Sequence, residues 1–301
     1  MSTPLLIVIV GPTAVGKTAL SIKLAKQYNT EIVSADSRQF YKEMEIGTAK
    51  PTADELRQAP HYFINTLSIH DEYNVGSYEK EALKCLDDIF KKKDTAILVG
   101  GSGLFVNAVC NGLDTLPEAN NSVREYYEKR LKEKGIEALQ AELKEKDPDY
   151  YEIVDKKNPR RLIRALEVCA VAGVPYSQLR NKKAVKRNFT IAKIGINIDK
   201  EELVKRIEKR IDGMLAAGWL EECKSLLPYR NLNALKTVGY TELFDFIDSK
   251  NNWEDTVQQI KTNTWHYAKR QLTWFKKDKE VKWFSPDNEK QILDYIATFA
   301  R

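Results

Sequence analysis

Cysteine and histidine are scarce in this chain of 301 residues, four and three respectively, and neither is arranged to hold a metal. Cys85, Cys110, Cys169 and Cys223 stand far apart with no C-x-x-C pair, and His61, His70 and His266 form no ligand-spaced cluster with them. That pattern excludes a zinc finger and predicts reduced thiols. Also missing is any run approaching the roughly 20 apolar residues that span a bilayer, and Met1-Ser2-Thr3-Pro4 lacks the basic start of a secretory signal. The expectation is a cytoplasmic protein with no membrane partner. Neither sign of charge dominates: 48 Lys and Arg against 43 Asp and Glu leave +5, so the placement of charge matters more than its sum. A hydrophobic share of 43% with 30% charged residues describes a globular chain, long enough for one large α/β domain with an insertion or for two domains.

What is present begins with Gly11-Pro12-Thr13-Ala14-Val15-Gly16-Lys17-Thr18, directly after the apolar run 5–10. The pattern G-x-x-x-x-G-K-[ST] between a buried strand and a helix is a phosphate-binding loop. Leu20, Leu24 and Tyr28 supply the helical spacing that follows. Glycines let backbone N–H groups turn inward on an anion, and the positive end of the helix adds field of the same sign. Lys17 is placed to reach terminal phosphate oxygens and the Thr18 hydroxyl to hold Mg²⁺. The loop announces a bound di- or triphosphate. Where that phosphate goes is left open.

In chain order, a second strand over 31–35 stops at Asp36-Ser37-Arg38-Gln39. Ligands of parallel α/β sheets sit outside the carboxyl ends of strands, so Asp36 reads equally as a base or metal ligand and as an Asx turn. A turn-rich passage over 42–52 suits a substrate-contacting loop. An amphipathic helix over 77–92 precedes a third buried strand, 95–99, which ends in Gly100-Gly101-Ser102-Gly103-Leu104-Phe105. Glycines here allow backbone or a ligand to approach closely, where a switch-type NTPase commonly places an acidic residue. Ser102 caps the next helix or touches substrate.

From 117 to 187 strands disappear and charge-rich helical segments take over. Asn158-Pro159 starts a helix, with Leu162, Ile163, Leu166 and Ala170 on one side and Arg160, Arg161 and Arg164 on the other. Lys182-Lys183, Lys186-Arg187 and a helix over 124–134 add positive charge, with Tyr126, Tyr127, Tyr150 and Tyr151 interspersed. Such a surface is either a solvated basic face or one that meets a phosphate backbone. The strand over 190–197 follows, and then a helix whose buried stripe is Leu203, Ile207, Ile211 and Met214, with Arg210 at its border. An arginine there binds pyrophosphate bidentately or snorkels to the surface. Lys236-Thr237-Val238-Gly239-Tyr240 opens another helix, and a long one over 253–277 carries Lys269, Arg270, Gln271 and Trp274. The pattern predicts an α/β, P-loop NTPase-like parallel sheet core with an inserted all-helical domain, divided as 1–116, 117–187 and 188–301.

In sequence order, GPTAVGKT (11–18), SADSRQFY (34–41), EIGTAKP (45–51), GGSGLF (100–105), NPRRLIRALEV (158–168), VGY (238–240) and KRQLTWF (269–275) closely resemble the tRNA dimethylallyltransferase family of bacterial enzymes. Members commonly have Thr and Tyr where this chain has Ser102 and Phe105, swaps that keep a hydroxyl and a ring. The resemblance implies transfer of a dimethylallyl group from dimethylallyl diphosphate to the exocyclic N6 of the adenosine on the 3′ side of the tRNA anticodon. It implies Asp36 as proton acceptor, Thr13 as the loop threonine that helps hold the reacting groups, Arg210 on the leaving diphosphate, and Mg²⁺ at Thr18. By the same correspondence the anticodon stem-loop meets Asp36, Ser37, Arg38, Gln39, Ser102, Arg124, Arg160, Arg161, Leu162, Ile163 and Arg164. Lys236, Thr237, Gly239 and Tyr240, with Lys269 and Arg270, match further contact regions. A monomer is expected. The competing reading is a nucleoside or nucleotide kinase with the insertion as a lid, and a third is an ATP-switched RNA-binding protein.

Overall fold

The run Leu5-Leu6-Ile7-Val8-Ile9-Val10 has no polar side and is buried along its whole length, as a strand at the centre of a covered parallel sheet requires. A computed structural model of the chain describes residues 3–180 and 185–299. Among the described residues there are six strands: β1 Leu5–Val10, β2 Ile32–Ser34, β3 His61–Tyr62, β4 Thr95–Gly100, β5 Thr190–Ile196 and β6 Lys282–Phe284. They form one sheet in the order β3-β2-β4-β1-β5-β6, and every pairing is parallel. Leu5 aligns with Thr95 on one side and with Thr190 on the other.

Alternation along β1 feeds two apolar layers. Leu5, Ile7 and Ile9 pack with Leu20 and Leu24 and with helix residues Leu203, Ile207, Ile211, Leu243 and Ile260. Leu6, Val8 and Val10 pack with Tyr78, Ala82 and Leu86 of the helix Val75–Phe90 and with Val106 and Val109. Helices therefore cover both faces, the α/β parallel-sheet architecture that the apolar strand runs predict. The short β3 carries no apolar run and was invisible to that reasoning; Val33 brings Tyr62 into register beside it.

The chain divides into two units, 1–111 with 186–301, and 112–185. The second contains helices and no strand among the described residues. Its long helix Asn121–Lys146 is broken at Gly135, whose φ of 76° a β-carbon would oppose. The helix Pro159–Ala172 begins as its sequence predicts, with the Asn158 side chain accepting from Arg161 N and proline in the first turn. Leu139, Leu143, Leu162, Ile163 and Leu166 form the core of this unit. Lys182 and Lys183 of the basic run lie outside the described residues. Among the described residues no helix is long and apolar enough to cross a membrane.

Candidate functional site

The phosphate loop leaves β1 and enters the helix Lys17–Gln27 through a sharply turned backbone. Gly11 takes φ 150°, and a β-carbon there would collide with the Ile196 carbonyl at the end of β5. Ala14 and Gly16 also have positive φ, at 64° and 102°, which turns successive N–H groups into a concave surface suited to an anion. Inside it, Lys17 Nζ donates to Pro12 O at 2.7 Å. Burial lowers the Lys17 ammonium from its ordinary 10.5 to about 8; the Asp36 charge opposes that shift and the Arg210 charge adds to it. Lys17 is thus a desolvated cation with little local compensation, poised to gain from an incoming anion.

Two distant elements fix the loop. Arg210, on the helix Lys200–Ala216, donates from Nη1 to Thr13 Oγ1 at 3.0 Å. Burial pulls its guanidinium below the usual value and Asp36 opposes the pull. So the border arginine turns into the cleft, as the pyrophosphate reading requires, and does not snorkel. Gln271, on the helix Trp253–Phe275, accepts from Thr13 N at 2.8 Å and donates from Nε2 to Gly101 O at 3.0 Å. One side-chain amide thereby joins the loop to the end of β4.

The glycines after β4 acquire specific reasons. A β-carbon on Gly100 would strike the Ala35 carbonyl, and one on Gly101 would strike the Gln271 amide. What approaches closely is therefore the end of β2 and a helix side chain. Asp36 follows Ala35, and its Oδ1 accepts from Arg38 N at 3.1 Å, so the Asx turn is real. The same carboxylate lines two adjoining cavities, and the turn and the cleft-facing role coexist. Ser102 does not cap the following helix through its side chain; its Oγ accepts from Ser37 N at 3.0 Å and donates to Ser37 Oγ at 3.2 Å, pinning the turn.

The first cavity, about 290 Å³, is lined by the loop from Thr13 to Ala19 together with Asp36, Gln39, Ala49, Arg210, Tyr267 and Gln271. The second, about 100 Å³, adds an apolar wall of Ile207, Ile211, Met214, Trp219 and Val238 and polar groups from Arg38, Thr48, Thr237 and Thr264. Thr13, Ala14, Asp36, Arg210 and Tyr267 belong to both. Burial, and after it the Asp36 charge, raises the Tyr267 phenol far above its ordinary range, so it stays protonated as a donor. The sequence groups Tyr267 and Gln271 with the basic and aromatic residues of the 253–277 helix as a nucleic-acid-binding surface, and their place in the cleft is visible only in the structure. Gln271 had a signal: it is the polar member of a buried stripe with Ile260, Ala268 and Phe275.

The residues matched to tRNA contact sort into two groups. Arg160, Arg161, Lys236, Lys269 and Arg270 are exposed, and Thr237 faces the second cavity. The Leu162 and Ile163 side chains are buried, since helical spacing sends them into the core of the unit, and they present no side-chain surface to a ligand. Gly239 and Tyr240 are likewise enclosed, and the Tyr240 hydroxyl donates to Glu222 Oε1 at 2.6 Å. Arg164 and Arg124 are not free members of a basic face. Arg124 Nη2 donates to the buried Glu167 at 2.9 Å, and Arg164 lies 3.2 Å from the same carboxylate while donating to Pro117 O. Burial pushes the Glu167 carboxyl up, but the Arg124 hydrogen bond, the Asn120 N–H and the Arg164 charge outweigh it and hold the group below its ordinary value.

Comparison with known proteins bears on the same residues. The family model described as IPP transferase matches residues 39–278. A tRNA dimethylallyltransferase of Christiangramia forsetii is 51% identical over 292 residues, covering 97% of each chain. Among solved structures, the full-length tRNA isopentenylpyrophosphate transferase of Bacillus halodurans superposes with a TM-score of 0.72 at 34% identity, covering 99% of this chain and 96% of that one. A eukaryotic dimethylallyltransferase acting on tRNA gives a TM-score of 0.81 at 26% identity, over 99% of this chain and 77% of that one.

Proposed function

The chain belongs to the IPP transferase family, and on that premise we propose that it is a tRNA dimethylallyltransferase. It moves the dimethylallyl group from dimethylallyl diphosphate to the exocyclic N6 of the adenosine on the 3′ side of the anticodon. The observation that carries this reading is the convergence of Lys17, Arg210 and Asp36 on one cleft: two cations beside a phosphate loop, and a carboxylate at the wall common to both cavities.

The amine lone pair attacks the allylic carbon, the carbon–oxygen bond to diphosphate breaks, and Asp36 accepts the amine proton. Charge grows on the diphosphate as that bond breaks. The N–H groups of residues 13–18, Lys17 and Arg210 stabilise that charge more strongly in the transition state than in the substrate. Thr13, held by Arg210 through its hydroxyl and by Gln271 through its N–H, keeps loop and arginine in one geometry.

Mg²⁺ fits this donor set. Thr18 lines the first cavity at the start of a helix, and among the described residues no cluster of three or more His, Cys, Asp or Glu could hold a metal alone. The Thr18 hydroxyl would hold the ion together with the substrate's phosphate oxygens, since Mg²⁺ takes oxygen donors and is commonly shared with substrate phosphates. When bound it neutralises charge on the leaving group. The acceptor adenosine must leave its stack to reach Asp36, and the exposed Arg160, Arg161, Lys269 and Arg270 are the cations proposed to meet the surrounding phosphates of the anticodon stem-loop. A monomeric cytoplasmic enzyme is sufficient for this chemistry.

The test is incubation of the purified protein with unmodified tRNA, Mg²⁺ and labelled dimethylallyl diphosphate, with Asp36→Ala alongside. Label entering RNA with wild type and not with the variant supports reaction and base together. Consumption of ATP with a nucleoside acceptor, and no label in RNA, would establish a kinase in its place.

A further inference from the structure

The loop following Met44 has little regular structure, yet it walls both cavities: Gly47 and Thr48 line the second, Ala49 and Pro51 the first. It is held from two directions. On one side Gln39 Nε2 donates to Thr48 O at 3.3 Å and to Ala49 O at 3.2 Å, which ties the loop to the turn that begins at Asp36. On the other, a single carboxylate collects its N–H groups. Glu222 Oε2 accepts from Glu45 N at 2.9 Å and Ile46 N at 2.7 Å, while Oε1 accepts from Gly47 N at 3.1 Å and from the Tyr240 hydroxyl at 2.6 Å. An ionised carboxylate has about four acceptor positions, so this one is fully used by protein donors.

Glu222 lies on the helix Trp219–Leu226, and Trp219 of that helix forms the other half of the arrangement. Its indole is 2% exposed and packs so closely on Gly47 and Gly239 that a β-carbon on either would collide with the ring. The hydrogen bond to Glu222 and the contact with the indole therefore meet at Gly47, which lines the second cavity.

We propose that Glu222 is a positioning residue for the transfer, the clamp that fixes the 45–51 loop as the wall shared by both cavities and, through Gln39, holds the Asp36 turn in register. The proposal rests on the prenyl-transfer reading above. Glu222 itself lines neither cavity and acts through the loop. Reactions that depend on bound geometry lose on the order of a hundredfold in rate for displacements of about 1 Å, so a clamp remote from the chemistry controls it.

Glu222→Gln in the full-length chain is the test. It replaces one acceptor oxygen by an amide nitrogen: turned toward Glu45 and Ile46 it loses both of their N–H contacts, and turned the other way it loses Gly47 N while the Tyr240 hydroxyl can rotate to accept from it, so backbone contact is lost in either orientation. The exposed neighbour variant Glu221→Gln serves as control, since Glu221 forms a surface pair with Lys224. Three readouts are taken: hydrogen exchange of the 45–47 amides, melting temperature, and kinetics with dimethylallyl diphosphate and its longer homologue geranyl diphosphate. The expected result is exchange at 45–47 faster by about tenfold or more, a melting temperature lower by only a few degrees, kcat at saturating substrates down by about tenfold or more, and a raised preference for the longer allyl chain. Unchanged exchange overturns the proposal. So does a kcat within about twofold of wild type, or a loss that follows only the folded fraction and disappears on cooling. A wild-type protein that transfers no allyl group to RNA overturns the reading of the reaction, whereas accelerated exchange at 45–47 would still uphold the clamp.

Discussion

Arg210 and Thr13 are 197 positions apart in the chain and joined by one hydrogen bond of 3.0 Å, from guanidinium Nη1 to threonine Oγ1. That bond joins the phosphate loop to a cation from a different helix, so anion binding and loop geometry are set together. Arg210→Ala is expected to lower kcat by about a hundredfold or more, the scale of removing one oxyanion donor. Arg210→Lys restores charge without the planar fork and is expected to recover only part of the loss. Steady-state kinetics on both variants decide this, and equal activity of Arg210→Ala and wild type would remove the arginine from the mechanism.

Lys17 sets a pH dependence. Its folded value, about 8, lies below its ordinary 10.5, so between those values the unfolded chain binds more protons than the folded one. The contribution of this group to stability therefore rises as pH climbs from about 8 to 10.5, and is flat below. Affinity for inorganic diphosphate is expected to run the other way, weakening above pH 8 as the ammonium is lost. Calorimetric titration across that range, with Lys17→Met as the comparison, reads both; a diphosphate affinity constant from pH 7 to 10 would contradict it.

Gly100→Ala places a β-carbon against the Ala35 carbonyl one residue before Asp36. Overpacking of this kind costs about 1–3 kcal/mol, and here it also displaces the turn that presents the carboxylate. The expected outcome is a lowered denaturation midpoint together with a kcat loss larger than the unfolded fraction explains. A stable variant with full activity would show that β2 yields without cost.

Glu167 in the helical unit is buried and compensated by Arg124, Arg164 and the Asn120 N–H. Glu167→Gln leaves two arginines facing a neutral amide and is expected to destabilise the unit by about 2 kcal/mol, since removing one partner of a buried ion cluster costs up to about 3–5 kcal/mol and both arginines here are partly solvated. Because its folded pKa is depressed, the stability it confers is present above the ordinary carboxylate range and is lost as pH falls through the folded value. Denaturant titrations of wild type and variant from pH 7 downward are expected to show the difference between them shrinking as the Glu167 carboxylate is protonated.

Arg161 is exposed at the first turn of Pro159–Ala172, whereas Arg164 is committed to Glu167 and Pro117. Arg161→Glu is expected to weaken tRNA binding by about tenfold at moderate salt and to reduce the salt slope by roughly one contact or more. Arg164→Glu is expected to act chiefly on stability. Filter binding across a salt series, beside melting curves, separates them, and unchanged affinity of Arg161→Glu would sink its assignment.

The loop at 11–18, the flanking strand and helix and the Asn158-Pro159 helix start were legible because each is local, and the grouping of Asp36 with the phosphate loop followed from the rule that ligands gather at the carboxyl ends of parallel strands. Apolar runs, glycines and caps act within a few residues, and motif order carries the family. Gln271 showed itself only as a polar intruder on an apolar stripe, and Glu222 gave no signal, since three of its partners lie 175 to 177 residues upstream and are backbone N–H groups common to any sequence. The three-arginine face was legible as a pattern and misleading in part. Helical periodicity assigns a side to each arginine but cannot see the buried carboxylate of Glu167, which pulls Arg164 and Arg124 inward.

Local covalent and conformational preferences thus determined, from sequence alone, where strands, turns and the anion-binding loop form. Only the tertiary structure decided which glycine accommodates which neighbour, which arginine enters the cleft, and which carboxylate holds a wall. Those outcomes depend on distances between residues far apart in the chain, and burial sets the electrostatic weight of each one.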